Sequence, residues 1–232
     1  MSLKRTSYAA LALSVSCGFV TPCQAEATFT GLGALTGYGN VFRSWGLGVS
    51  PDGGTAVGWS KSNYNGDAPL NKSEAFTWTE GAGIVGLGEL PGGDITSEAY
   101  GVSVNGTAVV GYGRSDQVDT FEAFRWTQTG GMVGLGHLSG GSFDYSRANA
   151  VSADGDTVVG WSGSDFGGSG SGAEAFVWTS TGGMVGLGDL PGGGTNSLGY
   201  DTSADGGVVV GYSYSGNSTS EAFRWTAGGG MV

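Results

Sequence analysis

The chain has 232 residues, a formal net charge of -11, 12% charged residues and 49 glycines. Glycine at about three times its usual frequency but without a three-residue period excludes a collagen. A content of 39% hydrophobic and 11% aromatic residues excludes a disordered tail, and the acid excess excludes a basic nucleic-acid-binding face.

The first 25 residues read as a signal peptide. Lys4 and Arg5 form a basic start, residues 8–20 form an apolar stretch too short to span a bilayer, and small residues allow cleavage after Ala25 or Ala27. Both cysteines, Cys17 and Cys23, fall inside it, and Pro22 argues against a lipid-attachment box. Cleavage leaves 7 basic against 20 acidic residues, a charge of about -13. A cysteine-free secreted domain depends on packing and backbone pairing for its stability. No other apolar run reaches the length of a membrane helix.

Residues 26–232 form a tandem repeat. Gly-Leu-Gly-x-Leu begins at Gly31, Gly86, Gly134 and Gly186, which divides the domain into units 31–85, 86–133, 134–185 and 186–232. Each unit carries Ser-x-(Asp/Asn)-Gly, then Val-Gly-aromatic, then Glu-Ala-Phe-x-Trp-Thr, then Gly-(Met/Ile)-Val.

Asp52-Gly53, Asn105-Gly106, Asp154-Gly155 and Asp205-Gly206 lie between apolar runs and predict hairpins with type I′ turns. The runs that follow, such as 157–161 and 208–212, are apolar on both faces and predict strands sandwiched between sheets. In 122–126 a period of two puts Phe124 and Trp126 on one face. A Gly-Gly turn leads into a fourth short strand.

The fold class expected is therefore all-β, with tandem four-stranded antiparallel units arranged as in a β-propeller; a β-solenoid is the alternative. The units would be four closed blades, with the N-terminal segment supplying an outer strand to the last, or part of a larger array.

The sequences Glu-Ala-Phe-Arg-Trp-Thr, Gly-Gly-Met-Val-Gly-Leu-Gly and Val-Ser-Ala-Asp-Gly-Asp-Thr-Val-Val-Gly-Trp-Ser resemble the bacterial extracellular HAF-repeat family over residues 31–232. The resemblance implies a secreted or cell-surface protein of a Gram-negative-type bacterium, like an autotransporter passenger. It also implies a C-terminal translocator or further repeats beyond the present sequence. It carries no common activity. Glu74, Glu122, Glu174 and Glu221 stand where that family often has histidine, so no histidine-based role transfers.

Those four glutamates share strand parity with Phe and Trp, so each carboxylate lies at the core edge and needs donors there. Their recurrence in every unit reads as structural. The single histidine, His137, occupies the position of Glu89 and Asp189 and reads as a solvated strand-end residue, not a catalytic base. The Trp residues of the repeat read as core, and Trp45, which has no aromatic counterpart, as exposed. No catalytic residue, metal ligand or cofactor site is assigned: the glycine-rich stretches lack a phosphate loop's strand-to-helix context, and the Asp-Gly turns lack the spacing of a Ca²⁺ loop.

From the second-strand aromatic to the glutamate the spacing is 15, 10, 13 and 9 residues, so this connection varies most between units. Variable loops on a rigid scaffold collect binding residues. Asn63, Tyr64, Asn65, Phe121, Phe166 and Tyr214 are the ligand-binding residues expected there, suited to carbohydrate or a protein surface. The leading expectation is a secreted or surface-displayed, non-enzymatic, adhesin-like binding module. The alternative is a carbohydrate-active enzyme using paired carboxylates, drawn from Asp116, Asp119, Asp144 and Asp165. A membrane barrel is disfavoured by strands with two apolar faces.

Overall fold

The computed structural model describes residues 29–35, 43–62, 72–93, 96–115, 120–139, 144–164, 172–194, 196–216 and 219–232. It divides into a unit Met1–Leu32, of which residues 29–32 are described, and a unit Gly33–Val232. The expected signal peptide lies outside the described residues, as do Asn63, Tyr64, Asn65 and Phe166. Among the described residues no helix is long and apolar enough to cross a membrane.

Among its described residues the second unit holds sixteen strands in four sheets. The first sheet is β1 (Ser44–Val49), β2 (Ala56–Lys61), β3 (Ser73–Thr79) and β4 (Gly83–Gly86). The second is β5 (Ser97–Val102), β6 (Ala108–Arg114), β7 (Phe121–Thr127) and β8 (Gly131–Gly134). The third is β9 (Ser146–Val151), β10 (Thr157–Ser164), β11 (Gly172–Thr179) and β12 (Gly183–Gly186), and the fourth is β13 (Ser197–Thr202), β14 (Val208–Tyr214), β15 (Ser220–Thr226) and β16 (Gly230–Met231). Every sheet runs in sequence order and every strand pairing within a sheet is antiparallel, so the units are up-and-down blades and not solenoid coils.

The Val-Gly-aromatic runs form the second strand of each sheet, and those of the second and third sheets have both faces covered by neighbouring sheets. The innermost strand is the one before the Asp-Gly turn, and β1, β5, β9 and β13 meet each other along the unit. Three cores result, one at each junction. Val57, Ala75 and Leu87 of the first sheet and its linker pack with Ala99, Val109 and Phe124 of the second. Val110, Ala123 and Leu135 pack with Ala148, Val158 and Phe176, and Val159 and Ala175 pack with Val209 and Phe223. Trp126, expected to be fully buried, is only partly covered at its core's margin.

Ring closure is not made among the described residues. Among the described residues no core joins the fourth sheet to the first, and residues 33–35 do not complete the last sheet. That segment lies on the first sheet as the linker between two blades does: Leu35 donates its N–H to Ser60 Oγ at 3.0 Å, as Leu138 does to Ser162 and Leu190 to Ser213. The fourth sheet has its own outer strand, β16.

The hairpins also differ from expectation. A type I′ turn needs two residues at positive φ. Only the second unit has such a pair, Asn105 at 63° and Gly106 at 68°; elsewhere the glycine alone is left-handed, as in Gly53 at 75°. The reason is an aspartate ring: Ser50 Oγ donates to Asp52 Oδ1, Gly54 donates its N–H to the same oxygen at 3.0 Å, and Thr55 donates its N–H to Ser50 Oγ at 2.9 Å. Asp154 and Asp205 repeat the arrangement. Asn105 cannot accept in the same charged way, and Ser103 Oγ instead meets Thr107 Oγ1 at 3.0 Å.

Candidate functional site

The recurring glutamates are joined to the linker between sheets. Glu74, Glu122 and Glu174 accept the N–H of Gly88, Gly136 and Gly188 at 3.1, 2.8 and 2.9 Å. The carbonyl of each of those glycines accepts the hydroxyl of Ser97, Ser146 or Ser197, and the same serine oxygen accepts the N–H of Ala75, Ala123 or Ala175 in the preceding sheet. Each carboxylate is thereby part of a clamp between consecutive blades. Glu221 differs: it is exposed and accepts Ser215 Oγ at 3.0 Å.

Where the repeat is broken, the differences fall on the innermost strands. Each of these carries a bulge at the same place, between Gly46 and Gly48, Ala99 and Gly101, Ala148 and Ala150, and Gly199 and Asp201. The residues left unpaired are Leu47, Tyr100, Asn149 and Tyr200. The bulge also explains the glycine of Val-Gly-aromatic on the partner strand: a Cβ at Gly111 would overlap the Glu98 carbonyl oxygen, and one at Gly160 that of Arg147. Bulges turn side chains away from the regular pleat and collect beside functional sites.

All four bulged residues line one cleft of about 480 Å³, together with Arg147, Trp161 and Leu198. A neighbouring cavity of about 450 Å³ continues along the inner strands past Val49, Val102, Val151 and Thr202. The Arg147 guanidinium stacks over the Tyr100 ring at 3.9 Å, while its Nε is buried without a hydrogen-bond partner among the described residues. Tyr100 donates its hydroxyl to Glu98 Oε2 at 2.6 Å. Burial and then that bond to Glu98 push the Tyr100 phenol up to about 12, and burial pushes Tyr112 and Tyr145 up as well.

An aromatic chain backs the cleft. Tyr100 stacks on Tyr112, whose ring meets Phe121 edge-on, and Phe121 meets Tyr145, which stacks on Trp161 at 4.8 Å. Trp45, partly exposed as expected, stacks on Trp59 at 4.0 Å. A larger groove of about 710 Å³ between the first two sheets includes Arg125 and Trp126, but Arg125 is already engaged by the Gly155 carbonyl at 2.7 Å and Asp156 at 3.8 Å.

Of the loop residues expected to bind, Phe121 is half-buried in the aromatic chain and Tyr214 is exposed at the end of β14, in the fourth sheet. The structure does not bring these two together in the cleft. His137 is half-buried, and its Nε2 is covered, with no hydrogen-bond partner among the described residues. Asp189 in the equivalent position is also partly covered, and burial raises its carboxyl despite the Ser197 and Ser213 hydroxyls. Asp144 is exposed, and Asp116, Asp119 and Asp165 lie outside the described residues. Among the described residues no cluster of three or more His, Cys, Asp or Glu could hold a metal.

Leu47, Tyr100, Arg147, Asn149 and Tyr200 were missed in the sequence. Their signal was available, because aligning the four units places Trp45, Glu98, Arg147 and Leu198 in one column and the four bulged residues in another.

No family model matches the chain, and no curated protein matches it. Among solved structures it is similar to a putative TolB from Agrobacterium tumefaciens, at 18% identity and a TM-score of 0.54, over 86% of this chain and 67% of that one. That likeness supports a β-propeller-like arrangement of the four sheets.

Proposed function

We propose that this chain is a secreted or surface-displayed binding module of HAF-repeat type, and that its inner cleft takes an acidic sugar. The single observation that carries the reading is the set of four bulges. They leave the framework of each blade unchanged and turn four side chains of three kinds, Leu47, Tyr100, Asn149 and Tyr200, toward one cleft. Tyr200 and Trp161 offer ring faces for a pyranose, Asn149 offers an amide, and Arg147 offers a planar donor fork that suits a carboxylate. Phe121 supports the cleft from behind, and the variable loops beyond it supply a wider contact surface.

Binding rather than hydrolysis is supported by the state of the nearby carboxylates. Glu98 is held by the Tyr100 hydroxyl, and Asp201 accepts the N–H of Thr202 at 2.8 Å. A glycosidase pair needs two carboxyl groups facing across the bond to be cleaved.

Calorimetric titration with an oligogalacturonate, against a neutral galactose oligomer of matched length, tests the ligand. The acidic oligomer should bind and the neutral one should not, and Arg147→Gln should weaken binding at least about tenfold, as expected for one lost charge-assisted contact. Equal binding of both oligomers, or an unaffected Arg147→Gln variant, refutes the cleft assignment. Recovery of the expressed protein from the culture medium or cell surface with its N-terminus near Glu26 tests the export route.

A further inference from the structure

Arg125 closes the outer part of the junction between the second and third sheets. From β7 it faces the third sheet, where its Nε donates to the Gly155 carbonyl at 2.7 Å and its guanidinium lies 3.8 Å from Asp156. Thr77 holds the same place in the first sheet: it pairs with Val57 and Val85 as Arg125 pairs with Val110 and Val133. A threonine is too short to cross to Gly106, the counterpart of Gly155. In the third sheet the place is taken by Val177, which packs on the core instead. The groove of about 710 Å³ between the first two sheets therefore lies where an arginine at position 77 would run.

Its size is that of a small-molecule site. The first sheet contributes Thr77, Thr79 and the 47% exposed Val85, and the second contributes Trp126 and two exposed amides, Asn105 and Gln128. Trp126 is half-buried, so part of its indole stays open. Thr79 Oγ1 accepts the N–H of Ala82 at 3.2 Å, which leaves the hydroxyl its own proton to donate. The charges at the rim are already engaged, Arg125 by Gly155 and Asp156, and Asp154 by the Ser152 hydroxyl and the Asp156 N–H. What the groove offers a ligand is uncharged: hydroxyls, amides and one aromatic ring.

We propose that this groove binds a neutral, β-linked glucose chain. Each ring of such a chain has flat apolar faces, which suit the Trp126 indole, and equatorial hydroxyls at its edge, which meet the threonines and amides of the two walls. A galactose chain linked through its axial oxygen bends and loses that flat run. The site does not rest on the inner cleft, because it is built on β3, β4 and β7 and on the turn before β6, whereas the cleft is built on the inner strands.

Calorimetric titration of the full chain with cellotetraose tests this, and the wild type should bind it. Thr77→Arg supplies the side chain that closes the next junction, and Val85→Arg blocks the groove from an exposed position on the outer strand. Both should abolish binding, with circular dichroism and melting temperature confirming the fold. Thr77→Ser keeps the space and the hydroxyl and should bind as the wild type does. A wild type that does not bind, or either blocking variant that stays folded and still binds, overturns the proposal. Saturating oligogalacturonate should leave the titration unchanged; displacement would put both sugars in one place and overturn it as well. A chain that takes cellotetraose but not oligogalacturonate keeps this site and refutes only the inner cleft.

Discussion

Gly136 donates its N–H to Glu122 Oε1 at 2.8 Å across 14 residues of chain, and Gly134 lies so close to the same carboxylate that a Cβ there would overlap it. The glutamate of one strand and the two glycines of Gly-Leu-Gly are therefore one device. Glu122→Gln keeps the shape and weakens the acceptor, and it should lower stability by about 1–2 kcal/mol in chemical denaturation. Glu221→Gln is the control: this carboxylate is exposed, among the described residues it bonds a nearby hydroxyl in the same unit, and the change should alter stability little. Equal losses in both variants would remove the clamp as the explanation.

Phe176 is fully buried between the second and third sheets, in the core that contains Val110 and Ala148. Phe176→Ala should cost about 3–5 kcal/mol, by transfer and by the cavity left behind. Trp126→Ala should cost less, because the indole is only partly covered. Denaturation midpoints measured side by side decide the order; a larger loss at Trp126 would contradict the packing.

Much of this fold was legible because identical requirements recur. The Glu-Ala-Phe-x-Trp-Thr run gives the same alternation four times, and period two assigns Phe124 and Ala123 to opposite faces, where the structure has them. The innermost strands were harder to read. Their bulges break the alternation at Leu47, Tyr100, Asn149 and Tyr200, and only the two tyrosines repeat at this position. Closure was not legible either, since strand parity fixes which residues face a neighbour but not whether that neighbour exists. The exposure of Val49 and Val210 needed three dimensions.

The aspartate turns predict a pH dependence. Asp52, Asp154 and Asp205 are held below the usual carboxylate value of 3.8 by the hydroxyls of Ser50, Ser152 and Ser203, and then by the backbone N–H groups two residues on. A depressed folded pKa means stability that is present above the unfolded value and is lost as pH falls through the folded one. Melting temperature should therefore fall below about pH 4, within the carboxylate range. Ser152→Ala should bring the Asp154 titration back toward 3.8 in NMR; an unchanged titration would show that the hydroxyl is not the cause.

Asp189 should behave in the opposite sense. Burial raises its carboxyl, so the folded state holds the proton more tightly than the unfolded state, and this group's contribution to stability declines as pH rises from 3.8 through the folded value. Asp189→Asn removes the cost of the partly desolvated charge and keeps an acceptor for the Ser213 hydroxyl. It should be neutral or stabilising at pH 7, with the advantage shrinking in acid. A variant that is less stable at pH 7 than in acid, relative to wild type, would show that the carboxylate is satisfied where it sits.

The cleft tyrosines offer a test that needs no ligand. Tyr100 is pushed up to about 12 by burial and by its bond to Glu98, and Tyr112 is pushed higher by burial and the charge of Glu98. An ultraviolet titration of the folded protein should show these phenols still protonated at about pH 11, above the usual tyrosine range, and ionising only as the fold is lost. Glu98→Gln removes both the carboxylate acceptor and the charge, so Tyr100 should then ionise at lower pH while Tyr145, which has no bond to Glu98 among its causes and feels only its charge, moves less. If Glu98→Gln leaves the titration unchanged, the Tyr100–Glu98 bond does not organise the cleft in solution. The Arg147 stack on the Tyr100 face would then have to hold the ring in place by itself.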